Sequence, residues 1–287
     1  MNVLFATDGA EPSEHAAHLL ARLGDPVRTA VTVLSVNDFD VSMRLARAEG
    51  RYSAEAGHEA AQRAVDEGIR LLRSAGLTDF EGRVEDGDAA GEIVQAAERD
   101  DVELVVVGTA KERWLDAVVL GSVSSSVVHA SSCPVLVAHE APEPDRRLRV
   151  IVGADGSDGS NHAMAAFAAL ADPARSEVTV VTAVTPMALP PGGPAGAAIE
   201  PDVADGETAL AGRHAAAASD VLKGAGFRVE IEVQTGAPAA VLLEQAERRG
   251  ADLAVVGARG LGRFAAKVLG SVSDRIIRSA RATLVGR

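Results

Sequence analysis

The chain spells out nearly the same segment twice, and no other feature constrains its fold as much. "NVLFATDGAEPSEHA" at Asn2–Ala16 returns as "RVIVGADGSDGSNHA" at Arg149–Ala163, and "AVTVLSV" at Ala30–Val36 returns as "EVTVVTA" at Glu177–Ala183, both at an offset of 147. "DGDAAGEIVQAAERDDVELVVVG", ending at Gly108, returns as "TGAPAAVLLEQAERRGADLAVVG", ending at Gly257, at an offset of 149. A repeat of this period makes two copies of one structural unit, and 287 residues let each bury its own core. The change of offset implies two residues inserted in copy two, in the Pro/Gly-rich stretch Pro186–Pro201, a loop by composition. The spacer between copies is the polar, proline-stiffened Ala141–Asp145. The expected domains are 1–140 and 148–287, with 141–147 as linker.

Each copy alternates strand and helix. Predicted strands are Val3–Thr7, Ala30–Val36, Phe80–Glu85, Leu104–Val107 and Pro134–Ala138 in copy one. In copy two they are Arg149–Ala154, Glu177–Val184, Phe227–Gln234, Leu253–Val256 and Thr283–Gly286. Helices follow at Ser13–Leu23 and Ser160–Leu170, then at Ala54–Ala75 and Glu207–Ala225, with further helices before and after each fourth strand. This alternation predicts an α/β fold: two tandem doubly wound, Rossmann-like domains, each with five mainly parallel strands. The sheets are expected to be separate, with the copies packing where their short last strands need cover. Ligands of such sheets sit beyond the carboxyl ends of the strands.

Composition narrows the function classes. Aromatics are only 3%, so the cores rest on Val, Leu, Ile and Ala, and stacking platforms for nucleic acid are scarce. A net charge of −13 argues against nucleic acid and anionic membrane as partners. Any phosphate site must therefore be local and built mainly from backbone amides. The single cysteine, Cys133, excludes an intrachain disulfide and reads as a small hydrophobe. No window approaches a membrane span, and the first residues do not read as a signal peptide, so a cytoplasmic location is expected.

The chemistry-bearing stretch is "GARGLGRFAAKVLGSVSDRII", Gly257–Ile277, which follows the apolar strand Leu253–Val256. Its glycines are spaced Gly257-x2-Gly260-x9-Gly270, and Ser271 opens a predicted helix near its N-cap. Glycines let a ligand approach the backbone. The unsatisfied amides of a helix start carry roughly half a positive charge, and the hydroxyls of Ser271 and Ser273 are expected to add donors. The combination reads as a phosphate cradle. It is neither a G-x-x-x-x-G-K-[ST] loop nor a G-x-G-x-x-G fingerprint. Copy one nearly repeats it as "GTAKERWLDAVVLGSVSSSVV", Gly108–Val128, with Lys111 in place of Gly260.

This spacing, with the Asp8-Gly9 and Asp155-Gly156 turns, resembles the ATP-binding signature of the universal stress protein family, over nearly the whole chain. The resemblance implies a tandem member that binds ATP, with Mg or Mn accompanying the triphosphate, and that responds to stress through nucleotide-dependent conformation or partner choice. It implies that Asp155, after Ala154, and the backbone near Ala183 face the nucleotide. Gly257, Arg259, Gly260, Gly270, Ser271, Val272 and Ser273 would hold ribose and phosphates. In copy one the matching positions are Thr7, Asp8, Val36, Gly108, Lys111, Gly121, Ser122, Val123 and Ser124. It also implies pairing through last strands, giving a homodimer or a pseudo-dimeric monomer. Lys111 either obstructs the copy-one loop or lends its ammonium to a phosphate.

Other constellations carry less. His15 and His18 read as a solvated helix face, and His58, His129, His139, His162 and His214 lack ligand spacing. Trp114 packs over a ligand or anchors its loop. No nucleophile–base–orienter set emerges, so dedicated catalysis is not expected. The alternatives to an ATP-dependent binding protein are a nucleotide-free scaffold of the same fold and a slow ATPase.

Overall fold

A computed structural model describes residues 1–38, 54–110, 112–114, 117–185, 201–260 and 269–287. Copy one runs β1 (Asn2–Ala6), α1 (Glu11–Leu23), β2 (Ala30–Asn37), α2 (Ala54–Ser74), β3 (Asp79–Asp86), α3 (Ala89–Arg99) and β4 (Leu104–Gly108). A short hairpin, β5 (Glu112–Trp114) with β6 (Ala117–Val119), precedes α4 (Ser122–Ala130) and β7 (Val135–Ala138). Copy two runs β8 (Leu148–Gly153), α5 (Asp158–Leu170), β9 (Ser176–Val184), α6 (Pro201–Gly224) and β10 (Arg228–Thr235). It ends with α7 (Pro238–Arg249), β11 (Leu253–Gly257), α8 (Ser271–Ser279) and β12 (Ala282–Gly286).

Within each copy the five strands are parallel, ordered β3-β2-β1-β4-β7 and β10-β9-β8-β11-β12. Central strands are covered on both faces, which is why they read as unbroken apolar runs. Successive residues of β8 show the period of two: Val150 and Val152 join the core under α5 and α6, while Ile151 joins the core under α7 and α8. The first of these cores carries a tilted ring pair, Phe167 and Phe227, with centroids 5.1 Å apart.

The two sheets are not separate, which corrects the expectation. β7 and β12 pair antiparallel, with Leu284 opposite Leu136 and Ala282 opposite Ala138, giving one ten-stranded sheet. The physical reason is the edge problem: Val135-Leu-Val-Ala138 and Ala282-Thr-Leu-Val-Gly286 are nearly all apolar, and pairing leaves every residue of both strands buried instead of at an open edge. The copies do meet at their last strands. Either half produced alone is therefore expected to self-associate through the bared edge. Light scattering of residues 148–287 should show a dimer or larger species, and a clean monomer would contradict this.

The insertion also differs from the sequence-based count. Leu77 N bonds Leu72 O where Phe227 N bonds Leu222 O, an offset of 150, while β3 and β10 align at 149. Three residues enter before α6 and one is lost in the turn after it. Pro186–Glu200 lie outside the described residues.

Polar groups staple the seam. Asp252, buried just before β11, accepts two hydrogen bonds from Arg146 (2.7 and 2.8 Å) and one from Arg149 N (3.0 Å). Arg281 of copy two pairs with Glu140 and Glu143, which follow copy one. The Arg146 guanidinium, by hydrogen bond first and charge second, holds Glu143 below the usual carboxylate range, with Arg281 adding to it. The unfolded chain then binds that proton more readily. The contribution is present above an ordinary glutamate pKa of about 4.3 and is lost as pH falls through the lower folded value. Glu143→Gln should flatten the acid limb of melting temperature against pH, and an unchanged limb would count against the staple.

Candidate functional site

A cavity of ≈ 710 Å³ opens at the carboxyl ends of β8, β9 and β11. This is where the strand order reverses, with β8 between β9 and β11. All ten copy-two residues singled out from the sequence line it: Ala154, Asp155, Ala183, Gly257, Arg259, Gly260, Gly270, Ser271, Val272 and Ser273. Its apolar wall comes from Val181, Ala183, Leu242 and Val256, with Leu210 of α6 opposite. An apolar slot beside a glycine-rich turn can take a flat ring at one end and an anion at the other.

The glycines have different reasons. An ideal Cβ at Gly257 would lie 2.5 Å from Ser160 N, so the missing side chain here lets α5 pack on the strand end. At Gly260 a Cβ would lie 2.6 Å from Asp155 Oδ2, inside the cavity. Gly270 has φ −73° and ψ 154°, which any residue adopts, and a Cβ there would meet Ala258 O at 3.2 Å. Its value is room, not backbone freedom.

The hydroxyls also differ from expectation. Gly270 is the N-cap of α8 and Ser271 its first residue, without a side-chain cap. Ser273, 1% exposed, donates to Ala258 O (2.8 Å) and Gly270 O (2.9 Å), so its one proton is used inside the protein. Gly270 N donates to Ala258 O (2.8 Å). The donors left for a ligand are the amides of Ser271, Val272 and Ser273, which precede the first helical bond, Asp274 N to Gly270 O. Asp155 Oδ1 accepts from Ser157 N (2.9 Å) and Ser157 Oγ (2.6 Å) and so builds the turn, while Oδ2 faces Gly260. Burial, and secondarily the nearby charge of Arg259, push the Arg287 guanidinium below its usual value. Among the described residues no three His, Cys, Asp or Glu groups come together to hold a metal.

Copy one repeats the frame with changes. Thr7 and Asp8 follow β1, Val36 lies near the end of β2, and Gly108 ends β4. A Cβ at Gly108 would lie 2.2 Å from Pro12 O, the same close approach as at Gly257. Gly121 caps α4, and Ser122, Val123 and Ser124 supply the equivalent amides. Thr109 Oγ1 replaces a carbonyl as acceptor from Gly121 N and Ser124 Oγ (both 3.0 Å). Lys111 and the side chain of Trp114 lie outside the described residues.

Sequence reasoning missed the α6 wall: Glu207, Leu210, Ala211 and His214, spaced three and four apart on one face. That spacing was a usable signal, but the variable loop before α6 hides which face meets the cavity.

The Universal stress protein family matches residues 1–139 and again 147–285. The chain belongs to that family. A universal stress protein of Mycolicibacterium smegmatis is 29% identical over 289 residues, covering 97% of this chain and 94% of its own. The crystal structure of a universal stress protein from Archaeoglobus fulgidus superposes with a TM-score of 0.67 at 21% identity, covering 100% of this chain and 98% of the other. A universal stress protein solved in complex with cAMP aligns with 48% of this chain and 96% of its own, at 22% identity and a TM-score of 0.36. No helix among the described residues is long and apolar enough to cross a membrane.

Proposed function

We propose that this chain is an ATP-binding stress-response protein of the cytoplasm whose conformation or partner choice depends on nucleotide. The observation that carries this reading is the single cavity joining an apolar slot, a side-chain-free Gly260 and three unused helix-start amides. Adenine fits the slot between Ala183 and Leu242, and the phosphates fit the amides of Ser271–Ser273. In a chain of net charge −13, such local donors are what an anion needs. A Mg or Mn ion would be held mainly by the phosphates, with Asp155 as the nearest carboxylate. The domains, 1–140 and 148–287 with linker 141–147, act as one pseudo-dimer.

The test is thermal melting with ligand. ATP at a hundred times its dissociation constant should stabilise the fold by about 2.7 kcal/mol. No upward shift at millimolar ATP with magnesium would refute the reading. Copy one is proposed as a second site. With copy two disabled, Lys111→Gly should raise ATP affinity if Lys111 obstructs the loop, or lower it, most at low salt, if its charge serves the phosphates. No change in calorimetry would mean copy one keeps the frame without the chemistry.

A further inference from the structure

His214 lies half-buried on the cavity wall, one turn beyond Leu210 on α6. Gly156 holds it there. This glycine takes φ +78°, and an ideal Cβ would sit 2.6 Å from His214 Nε2 and 2.8 Å from both flanking ring carbons. The imidazole therefore packs straight onto the turn that carries Asp155, and Asp155 in turn faces Gly260. Neither ring nitrogen has a hydrogen-bond partner among the described residues. Copy one has Ala64 in the same place, its Cβ 3.3 Å from an ideal Cβ at Gly9, at the offset of 150 that relates α2 to α6.

We propose that His214 is a ligand-binding residue that hydrogen-bonds the sugar–phosphate part of the nucleotide in copy two, making the two sites unequal. The inference rests on the nucleotide reading above. A half-buried imidazole without a protein partner loses free energy unless water or ligand satisfies it. His214, Asp155 and Gly260 all line the cavity; Gly156, next to Asp155, backs His214, and Asp155 Oδ2 faces Gly260. A neutral imidazole offers one donor and one acceptor, which suits ribose hydroxyls, and a protonated one offers two donors to phosphate oxygens. An alanine methyl offers neither.

The experiment is calorimetry on the full chain with ATP, adenosine and free adenine, using wild type, His214→Leu and His214→Gln. His214→Leu keeps bulk and removes both nitrogens. It should weaken ATP about tenfold, one hydrogen bond's worth, and leave adenine unchanged, while His214→Gln recovers part of the loss. If His214→Leu does not fold, His214→Ala, the residue copy one carries, reads the same quantity. Wild-type ATP affinity in the Leu or Ala variant, or an equal loss for adenine, overturns the role of His214 alone. Failure of wild type to bind any of the three ligands overturns both this inference and the nucleotide reading.

Discussion

Gly260→Val should lower ATP affinity at copy two by about a hundredfold or more. A Cβ at this position would lie 2.6 Å from Asp155 Oδ2. A carboxylate on a free side chain could swing aside. This one is pinned through Oδ1 by two hydrogen bonds from Ser157, at 2.9 and 2.6 Å. The variant must either break that pair or move the loop, and the two remaining valine carbons then occupy the space an anion needs. A loss of about 3 kcal/mol corresponds to somewhat more than a hundredfold in the dissociation constant. Ser271→Ala provides the contrast. The Ser271 hydroxyl caps nothing, and the amide survives the substitution, so ATP affinity should fall less than about fivefold. Equilibrium dialysis on the full chain distinguishes the two. Equal effects would place the phosphate contact on the hydroxyl rather than the backbone.

Arg146→Ala should be the most damaging single change to stability among the polar residues of the seam. It strips the bidentate partner from Asp252, whose side chain is 1% exposed. Arg281 stands 3.7 Å away, and Arg149 N still donates, but neither replaces a fork with bonds of 2.7 and 2.8 Å. A buried carboxylate left without its cation costs about 3–5 kcal/mol. Pairing Arg146→Ala with Asp252→Asn should recover part of the loss, because the unpaired charge is then gone. Urea unfolding measures both. A single-variant loss below about 1 kcal/mol would show that Asp252 is relieved by solvent or by Arg281.

Much of this was legible in the residues. The repeat of "VLFATDG" as "VIVGADG" gave β1 and β8, and the apolar runs gave the parallel sheet, because doubly buried strands need no alternation. The ten copy-two residues converged on one cavity because strand end, glycine turn and helix start are local features that sequence spacing reports directly. What depended on tertiary approach was not legible. Gly257 and Gly260 look alike in sequence, yet one accommodates α5 and the other faces Asp155. Ser273 looked like a phosphate donor and instead binds Ala258 O. His214 is not legible as a cavity residue, because histidine spacing says nothing of which face of α6 meets the strand ends. The continuous sheet was missed because pairing between distant short strands leaves no periodic trace. The β5–β6 hairpin is not legible because Glu112–Trp114 and Ala117–Val119 are too short to show strand periodicity between the loop glycines.

The proposed amide cradle would let an acidic protein hold an anion without a basic face. Helix-start amides carry no net charge, and their dipole acts over one turn. ATP affinity at copy two should therefore depend only weakly on salt compared with a site built from lysines. Arg259 lines the cavity, and Arg287, at the end of copy two, donates to Val128 O of copy one, tying the two halves together.

The most direct measurement of the central claim is isothermal titration of the full-length protein with ATP and magnesium, repeated with Gly260→Val. The account predicts saturable binding by wild type and loss of the copy-two component in the variant, with unliganded melting temperature largely kept. No binding by wild type at millimolar ATP, or an isotherm that Gly260→Val leaves unchanged, would contradict it.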